Sequence, residues 1–247
     1  MAADRHNQER PLGFSGRHVR ASLVEHAKEF PVEGRTIVVN LDATPAYLAE
    51  DPRAVIPAFS ATTVVDSRLE QAGSVVLLRV DESTEIAGIT REPGWAHFAD
   101  VLAERAPAGA PPPSFPRATQ LWRSPVDDGG VVVFDPAAML GEGRGDRLRR
   151  FRVRVNLWFS PAGTDCGLHD RHDFIETHAQ VAGFGRMQKF RREEHGSLYE
   201  DVLMSPGYAT PVPFCAFGTD PVFRYPWHQY RADTDCVWLV AEYHLAD

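Results

Sequence analysis

Hydrophobic and polar residues alternate most regularly between residues 151 and 159, in the segment FRVRVNLWF. Val153, Val155 and Leu157 fall on one side of this segment, and arginine and asparagine side chains fall on the other. A period of two is that of a β-strand with one buried face. The same alternation, or a run rich in β-branched residues, predicts seven further strands, at residues 36–41, 62–65, 74–80, 131–134, 186–190, 198–204 and 236–243. Short strands separated by turn signals predict a mainly β protein, built as a sandwich or barrel.

Two segments carry helical spacing instead. Residues 22–30 begin with Ser22 at a helix N-cap position and Glu25 at the capping-box position. In residues 95–105, WAHFADVLAER, the apolar residues fall on one face of a helix. The sequence therefore predicts a short helix in each segment.

Two polar segments divide the chain. Residues 106–116, APAGAPPPSFP, are too rich in proline for a helix or a sheet interior, which predicts a linker or an extended surface loop. Residues 141–150, GEGRGDRLRR, form a second break. We therefore expect a β-rich N-terminal region at residues 1–150 and a separate barrel at residues 151–247.

The overall charge is acidic, with 26 lysine and arginine residues against 34 aspartate and glutamate residues and a net charge of −8. This balance gives no general affinity for nucleic acid or for an anionic membrane. The N-terminal segment lacks an apolar signal core, and no run reaches the roughly 18 apolar residues of a membrane span. The three cysteines have no CxxC spacing, which favours a reducing compartment. The sequence predicts a cytoplasmic protein without nucleic-acid or membrane partners, and we keep a homodimer as an expectation.

Candidate chemistry is concentrated in residues 167–183, GLHDRHDFIETHAQVAG, which hold three histidines, two aspartates and a glutamate. Imidazole and carboxylate together are ligands for first-row transition metals. If the segment forms a strand, a turn and a second strand, Glu176, His178 and Gln180 project from one face. His172 then ends the first strand and faces the same interior. A ligand from elsewhere would complete the site, and His228 is the best-placed candidate.

The C-terminal third resembles the cupin superfamily in two motifs. The first is reproduced by Asp170-Arg-His172, Glu176 and Gly183, except that an aspartate replaces the first histidine. The second is similar to Ser205-Pro-Gly207 followed by His228 and an apolar strand. The resemblance implies a jelly-roll barrel, a double-stranded β-helix, with a metal bound inside by His172, Glu176 and His228. Residues 1–150 would then be a strand-rich extension or a degenerate second barrel.

Other polar residues have alternative roles in such a barrel. His178 is expected to be either a fourth metal ligand or a proton shuttle. Asp170 is expected to replace the missing histidine as a ligand, or to serve in catalysis by accepting a hydrogen bond from a ligand imidazole. His169 is expected to lie outside the ligand shell, because a shift of one residue turns a strand side chain to the other face. The remaining candidates are Tyr230 for catalysis, and Gln180 and Trp227 for substrate binding.

These residues point to a metal-dependent enzyme that acts on a small polar molecule. A mixed histidine and carboxylate set favours Fe(II) and oxygenase chemistry, while Zn(II), Mn(II) or Ni(II) would serve as a Lewis acid for isomerisation, elimination or bond formation. The alternative is a barrel that binds a small ligand without catalysis. Cupins share a fold but not a reaction, so the fold alone does not choose between these functions.

Overall fold

The computed structural model describes residues 6–105, 115–141, 147–210, 212–217 and 223–246. Its strands form three antiparallel sheets, and the few helical segments lie between them. Sheet A is N-terminal and contains β1 (Gln8–Pro11), β2 (Val19–Asn40), β3 (Ala46–Leu48), β4 (Ala54–Ile56) and β5 (Ala61–Val80). Sheet B contains β6 (Ala96–His97), β7 (Trp122–Arg123), β8 (Asp127–Phe134), β9 (Arg149–Ser160), β11 (Ile175–Ala182) and β16 (Cys236–Leu245). Sheet C contains β10 (His169–His172), β12 (Gly185–Phe190), β13 (Leu198–Met204), β14 (Ala216–Phe217) and β15 (Phe223–Ala232).

Sheets B and C form a jelly-roll barrel. From β9 onward the chain crosses repeatedly between the two sheets, and strands distant in sequence become neighbours. In sheet B, β16 lies between β9 and β11, and in sheet C, β15 lies between β10 and β12. Apolar side chains of both sheets, such as Met187 and Trp238, pack between them. This is the double-stranded β-helix that the sequence motifs predicted, and the mainly β fold class is confirmed.

The outer face of sheet B packs against sheet A. The alternating residues Val153, Val155 and Leu157 of β9 lie in one buried cluster with Leu23 and Val39 of β2. The two layers are also joined by the Tyr243 hydroxyl, which donates a hydrogen bond of 3.1 Å to the carbonyl of Leu41. The apolar stripe that identified β9 therefore faces the N-terminal sheet, and the polar side of the strand faces the barrel interior.

Sheet A rolls up on itself. The end of β2 lies between the two ends of β5, so that Ile37 is the register partner of both Thr63 and Leu78. Bends at residues with positive φ, among them His26, Glu29 and Asp66, interrupt the regular pairing of the two long strands. A second apolar cluster fills the roll. Residues 1–80 thus include a sheet with its own core that also extends the barrel.

The structure corrects the prediction of a helix at residues 22–30, which belong to β2. Alanine, lysine and glutamate favour a helix locally, but pairing with β5 along the whole strand outweighs that preference. The helix expected at residues 95–105 is shorter and begins three residues later, as α1 (Phe98–Arg105). A second helix of one turn, α2 (Pro136–Met139), is N-capped by Asp135.

The expected boundary at residue 150 falls between β8 and β9, which pair within one sheet. Residues 96–134 thus supply three strands to the barrel sheet, and the described part of the N-terminal region is not confined to sheet A. Most of the predicted linker, residues 106–114, lies outside the described residues, as does the centre of the second break. None of the described helices is long and apolar enough to span a membrane.

Candidate metal centre

Three histidines converge at one end of the barrel, between β10 and β15. His169 and His172 lie on β10, and His169 is the register partner of His228 on β15. A regular strand would turn residues 169 and 172 to opposite faces. The register shifts between them: residue 169 pairs with residue 228 but residue 171 pairs with residue 224, so a single residue of β10 lies opposite three residues of β15. This irregularity brings both imidazoles to the same side.

The ligand atoms of these histidines lie close enough for one metal ion. The three candidate nitrogens are all within 4.8 Å of one another, and Nε2 of His172 is 3.3 Å from Nε2 of His228. Glu176 on β11 lies beside two of the histidines, since its Oε1 is 3.5 Å from both of those nitrogens. Donor atoms that share one ion at about 2.1 Å lie about 3.4 Å apart at tetrahedral angles. The residues therefore fit a divalent transition metal.

Backbone carbonyls orient two of the imidazoles. Nδ1 of His169 lies 3.0 Å from the carbonyl of Gly167, and Nδ1 of His228 lies 2.9 Å from the carbonyl of Pro226. A carbonyl only accepts hydrogen bonds, so each Nδ1 is the donor, and Nε2 is the ring nitrogen that could bind a metal. Such outer contacts are the ones that fix ligand histidines in metal proteins.

Burial sets the protonation states of the site. It lowers the pKa of His169 to about 3, and it also lowers the pKa of His172. For Glu176, burial acts to raise the pKa, but the surrounding imidazoles outweigh it and hold the pKa below its usual value. Its Oε1 is buried and completes no hydrogen bond among the described residues. Unprotonated imidazoles and an ionised carboxylate are the forms that bind a metal.

The structure brings His172, Glu176 and His228 together, and it adds His169. The expectation that His169 lies outside the shell assumed an unbroken strand, and the structure places His169 beside the other two histidines instead. Asp170, the alternative, is partly exposed, and its Oδ1 lies 3.7 Å from Nε of Arg171. It is not part of the histidine group.

His178 is buried and lies on the same face of β11 as Glu176. Its ring stacks on Tyr230, with centroids 3.9 Å apart, and burial lowers its pKa to about 4. Nδ1 of His178 and the hydroxyl of Tyr230 are buried and complete no hydrogen bond among the described residues. Both side chains line the main cavity, so their proposed roles in catalysis stay open.

The two expected substrate contacts do not line this cavity among the described residues. Gln180 is fully buried, and its amide donates to the carbonyl of Ala182 at 2.7 Å. Trp227 is the register partner of Phe190 and is adjacent to His228 on β15, so strand alternation turns it away from the ligand histidine.

The cavity has a volume of about 620 Å³ and a mixed wall. Histidines and glutamates line one part, and aromatic side chains that include Phe98, Phe115 and Trp158 line another. Phe98 contacts both other rings, with centroid separations of 4.9 and 4.8 Å. A cavity of this size accommodates a small organic molecule.

Sequence reasoning missed Glu242 and its partners. Glu242 lines the cavity, and its two oxygens lie 3.1 Å from Nδ2 of Asn156 and 2.9 Å from Nε2 of His244. All three residues occupy the polar positions of otherwise apolar strands. Once the apolar side of β9 and β16 is known to pack against sheet A, the polar residues on the other side of each strand are seen to face the cavity.

The strand order and the polar group at one end of the barrel define the class: this is a jelly-roll barrel protein with a histidine-rich cavity. No protein-family model matches the sequence, and no curated protein matches it.

Comparison with solved structures returns proteins described as cupins or known by their enzymatic activity. An oxalate oxidase in complex with the substrate analogue glycolate is 14% identical, over 36% of this chain and 41% of that chain, with a TM-score of 0.26. A Bacillus subtilis oxalate decarboxylase variant is 10% identical, over 98% of this chain and 76% of that chain, with a TM-score of 0.32. A cupin 2 conserved barrel domain protein from Leptotrichia buccalis is 7% identical, over 98% and 91%, with a TM-score of 0.30. Superpositions this loose carry no argument about chemistry, and the fold assignment rests on the strand topology.

Proposed function

We propose that this protein is a metal-dependent enzyme that acts on a small molecule bound in the barrel cavity. The observation that supports the proposal is the approach of His169, His172, His228 and Glu176 to one point beside that cavity. A structural polar network would pair these atoms with donors and acceptors of its own. Here the buried Oε1 of Glu176 completes no hydrogen bond among the described residues, although two imidazole nitrogens lie 3.5 Å away.

We favour Fe(II) and oxygenase chemistry, because mixed histidine and carboxylate sets suit a metal that binds both a substrate and dioxygen. The same donors would hold Zn(II), Mn(II) or Ni(II), and the bound ion would then supply Lewis-acid chemistry. In either case His178 is placed to hold or move a proton, since it is buried on the cavity wall beside Glu176.

The partner of the site is proposed to be a small molecule, without nucleic acid or membrane. A homodimer is proposed as the solution state, and the cytoplasm as the compartment. None of the three cysteines forms a disulfide bond among the described residues.

Elemental analysis of protein purified without chelators tests the metal. We expect about one transition-metal ion per chain. Content below about a tenth of an equivalent, with no recovery after adding Fe(II), Zn(II) or Mn(II), would favour a ligand-binding barrel without catalysis.

The reaction class is tested by incubating the metal-loaded protein with a deproteinised metabolite extract, with and without dioxygen. Mass spectrometry then follows which compounds disappear. Consumption only in air supports an oxygenase, and consumption in both atmospheres supports Lewis-acid chemistry. Consumption in neither, with the metal bound, contradicts an enzymatic function.

A further inference from the structure

We infer that Glu242 is a substrate-recognition residue, which selects a molecule that presents an N–H or O–H donor beside the metal site. The inference rests on the proposed function, since it assigns a neighbour to the proposed metal ligands. It concerns a residue that belongs neither to the ligand histidines nor to the apolar core.

The position of Glu242 follows from the register of sheet B. Arg154, Glu242 and Glu176 are partners across β9, β16 and β11. Directly opposed residues of antiparallel strands share a face, with Cβ atoms about 5 Å apart. Glu242 therefore lies beside Glu176 on the inner face of the barrel, and it lines the same cavity.

The carboxylate of Glu242 is held in place from within the protein. Asn156 is fully buried and donates to Oε1, while the imidazole of His244 contacts Oε2. The ring of His244 packs on Phe174, with centroids 4.7 Å apart, which restricts its movement. Each carboxylate oxygen accepts two hydrogen bonds, so both oxygens keep capacity for a donor from the cavity.

The pairing of Glu242 with Glu176 disfavours folding. Like charges directly opposed across two strands are destabilising, and both side chains are largely buried. On its other side Glu242 is the register partner of Arg154, which is exposed, and its own carboxylate is bound by Asn156 and His244. We attribute the carboxylate at this position on the cavity wall to contact with a bound molecule.

A carboxylate beside the metal site selects the chemistry of its ligand. It accepts a hydrogen bond from a hydroxyl, amide, imidazole or ammonium group, and it repels another carboxylate or a phosphate. We therefore assign to the cavity a substrate whose N–H or O–H donor meets Glu242 while a neighbouring atom lies at the metal site.

The test uses Co(II)-loaded full-length protein, with the visible Co(II) spectrum as the readout. Imidazole and 1-methylimidazole are titrated separately. Both present a ring nitrogen to a metal, but only imidazole keeps an N–H for Glu242. Glu242→Gln removes the charge with little change in shape. Glu193→Gln is the matched control, because Glu193 lines the same cavity at an exposed position.

We expect the wild-type protein and Glu193→Gln to bind imidazole roughly tenfold more tightly than 1-methylimidazole, as a charge-assisted hydrogen bond allows. In Glu242→Gln this ratio should fall to about two or less. If the wild-type protein binds imidazole and 1-methylimidazole equally well, the inference is overturned. An unchanged affinity ratio in Glu242→Gln also overturns it.

If Glu242→Gln does not fold by circular dichroism, Glu242→Asp replaces it, and the shortened carboxylate should lose the preference as well. A wild-type protein that binds no Co(II) overturns the proposed function and this inference with it. If the protein binds Co(II) but substitution of Glu242 does not change the ratio of the two affinities, only this inference is overturned.

Discussion

At the scale of single residues, neighbours in sequence have different surroundings. His169 contacts the other imidazoles, with ring centroids 4.2 Å from His228, while Asp170 points its carboxylate towards Arg171 near the surface. The difference is created by the break in register between β10 and β15. We therefore expect substitutions of His169 and Asp170 to have different effects on metal binding.

We predict that His169→Ala lowers metal affinity by at least about tenfold, because it removes an imidazole from a shell with few replacements. His172→Ala and His228→Ala should abolish metal retention for the same reason. Asp170→Ala should retain the metal. Equilibrium dialysis followed by elemental analysis measures all four. Full occupancy in the His172→Ala and His228→Ala variants would contradict the proposed centre.

We predict a different result for His178→Ala. The metal should remain, since His178 is not part of the histidine group, and turnover should fall by about a hundredfold, as expected when a general acid or base is lost. His195→Ala, on an exposed turn, is the control and should change neither quantity. Loss of the metal from His178→Ala would show that His178 is a ligand instead.

The sequence identifies three of the four clustered residues, because His172, Glu176 and His228 stand at motif positions. It could not identify His169, since the register of β10 depends on β15, some 60 residues later in the chain. Glu242 was missed for another reason. Which side of β16 faces the cavity depends on the packing of sheet A, and the alternation of one strand does not contain that information.

At the scale of elements, the turn from β11 to β12 closes the barrel below the site. A Cβ atom added at Gly185 would lie 2.6 Å from the ring of Trp238 and 3.1 Å from Oε1 of Gln180. Gly185 therefore lets β12 approach the tryptophan of β16. Gln180, which we expected at the substrate, serves in this closure.

We predict that Gly185→Ala lowers the free energy of unfolding by about 1–3 kcal/mol, because the added methyl group overpacks a buried contact. Gly196→Ala is the matched control, as its nearest neighbour would be a side-chain oxygen at 3.4 Å. Its effect should stay within about 0.5 kcal/mol. Urea denaturation measures both, and equal stability of the two variants would contradict the close approach.

The elements of the C-terminal half were predicted better than those of the N-terminal half. β9, β12, β13 and β16 each have strong alternation or a dense apolar run, and their predicted bounds fall within a few residues of the structure. In β2, bends at His26 and Glu29 break the alternation, and residues between them favour a helix. Pairing with the distant strand β5 makes this segment a strand, and the local sequence pattern does not reveal that pairing.

At the scale of the whole molecule, sheet A and the barrel share one core. Leu41 is fully buried in the cluster that joins them, and its carbonyl accepts the hydrogen bond of Tyr243. All five tryptophans lie at residue 95 or beyond, outside sheet A. Tryptophan fluorescence therefore reports on the barrel side when a residue of sheet A is changed.

We predict that Leu41→Ala lowers the free energy of unfolding by about 2–5 kcal/mol, as for other buried leucines. The fluorescence transition should shift together with the circular dichroism transition, because the two layers unfold as one unit. Val65→Ala, at a position 55% exposed in sheet A, should shift neither. Separate transitions would show that the barrel is stable without its outer layer.

The apolar side of β9 and β16 faces outward, towards sheet A, and this direction has a consequence for the evolution of the protein. Much of the stabilising burial of sheet B lies against sheet A, so the inner face contributes less to stability than the interior of a barrel without such a layer. Substitutions at inward positions such as residues 154, 156, 240 and 242 would then alter the bound molecule at a modest cost in stability. A barrel packed in this way is well suited to acquiring new substrates, because the residues that maintain the fold are not the residues that meet the ligand.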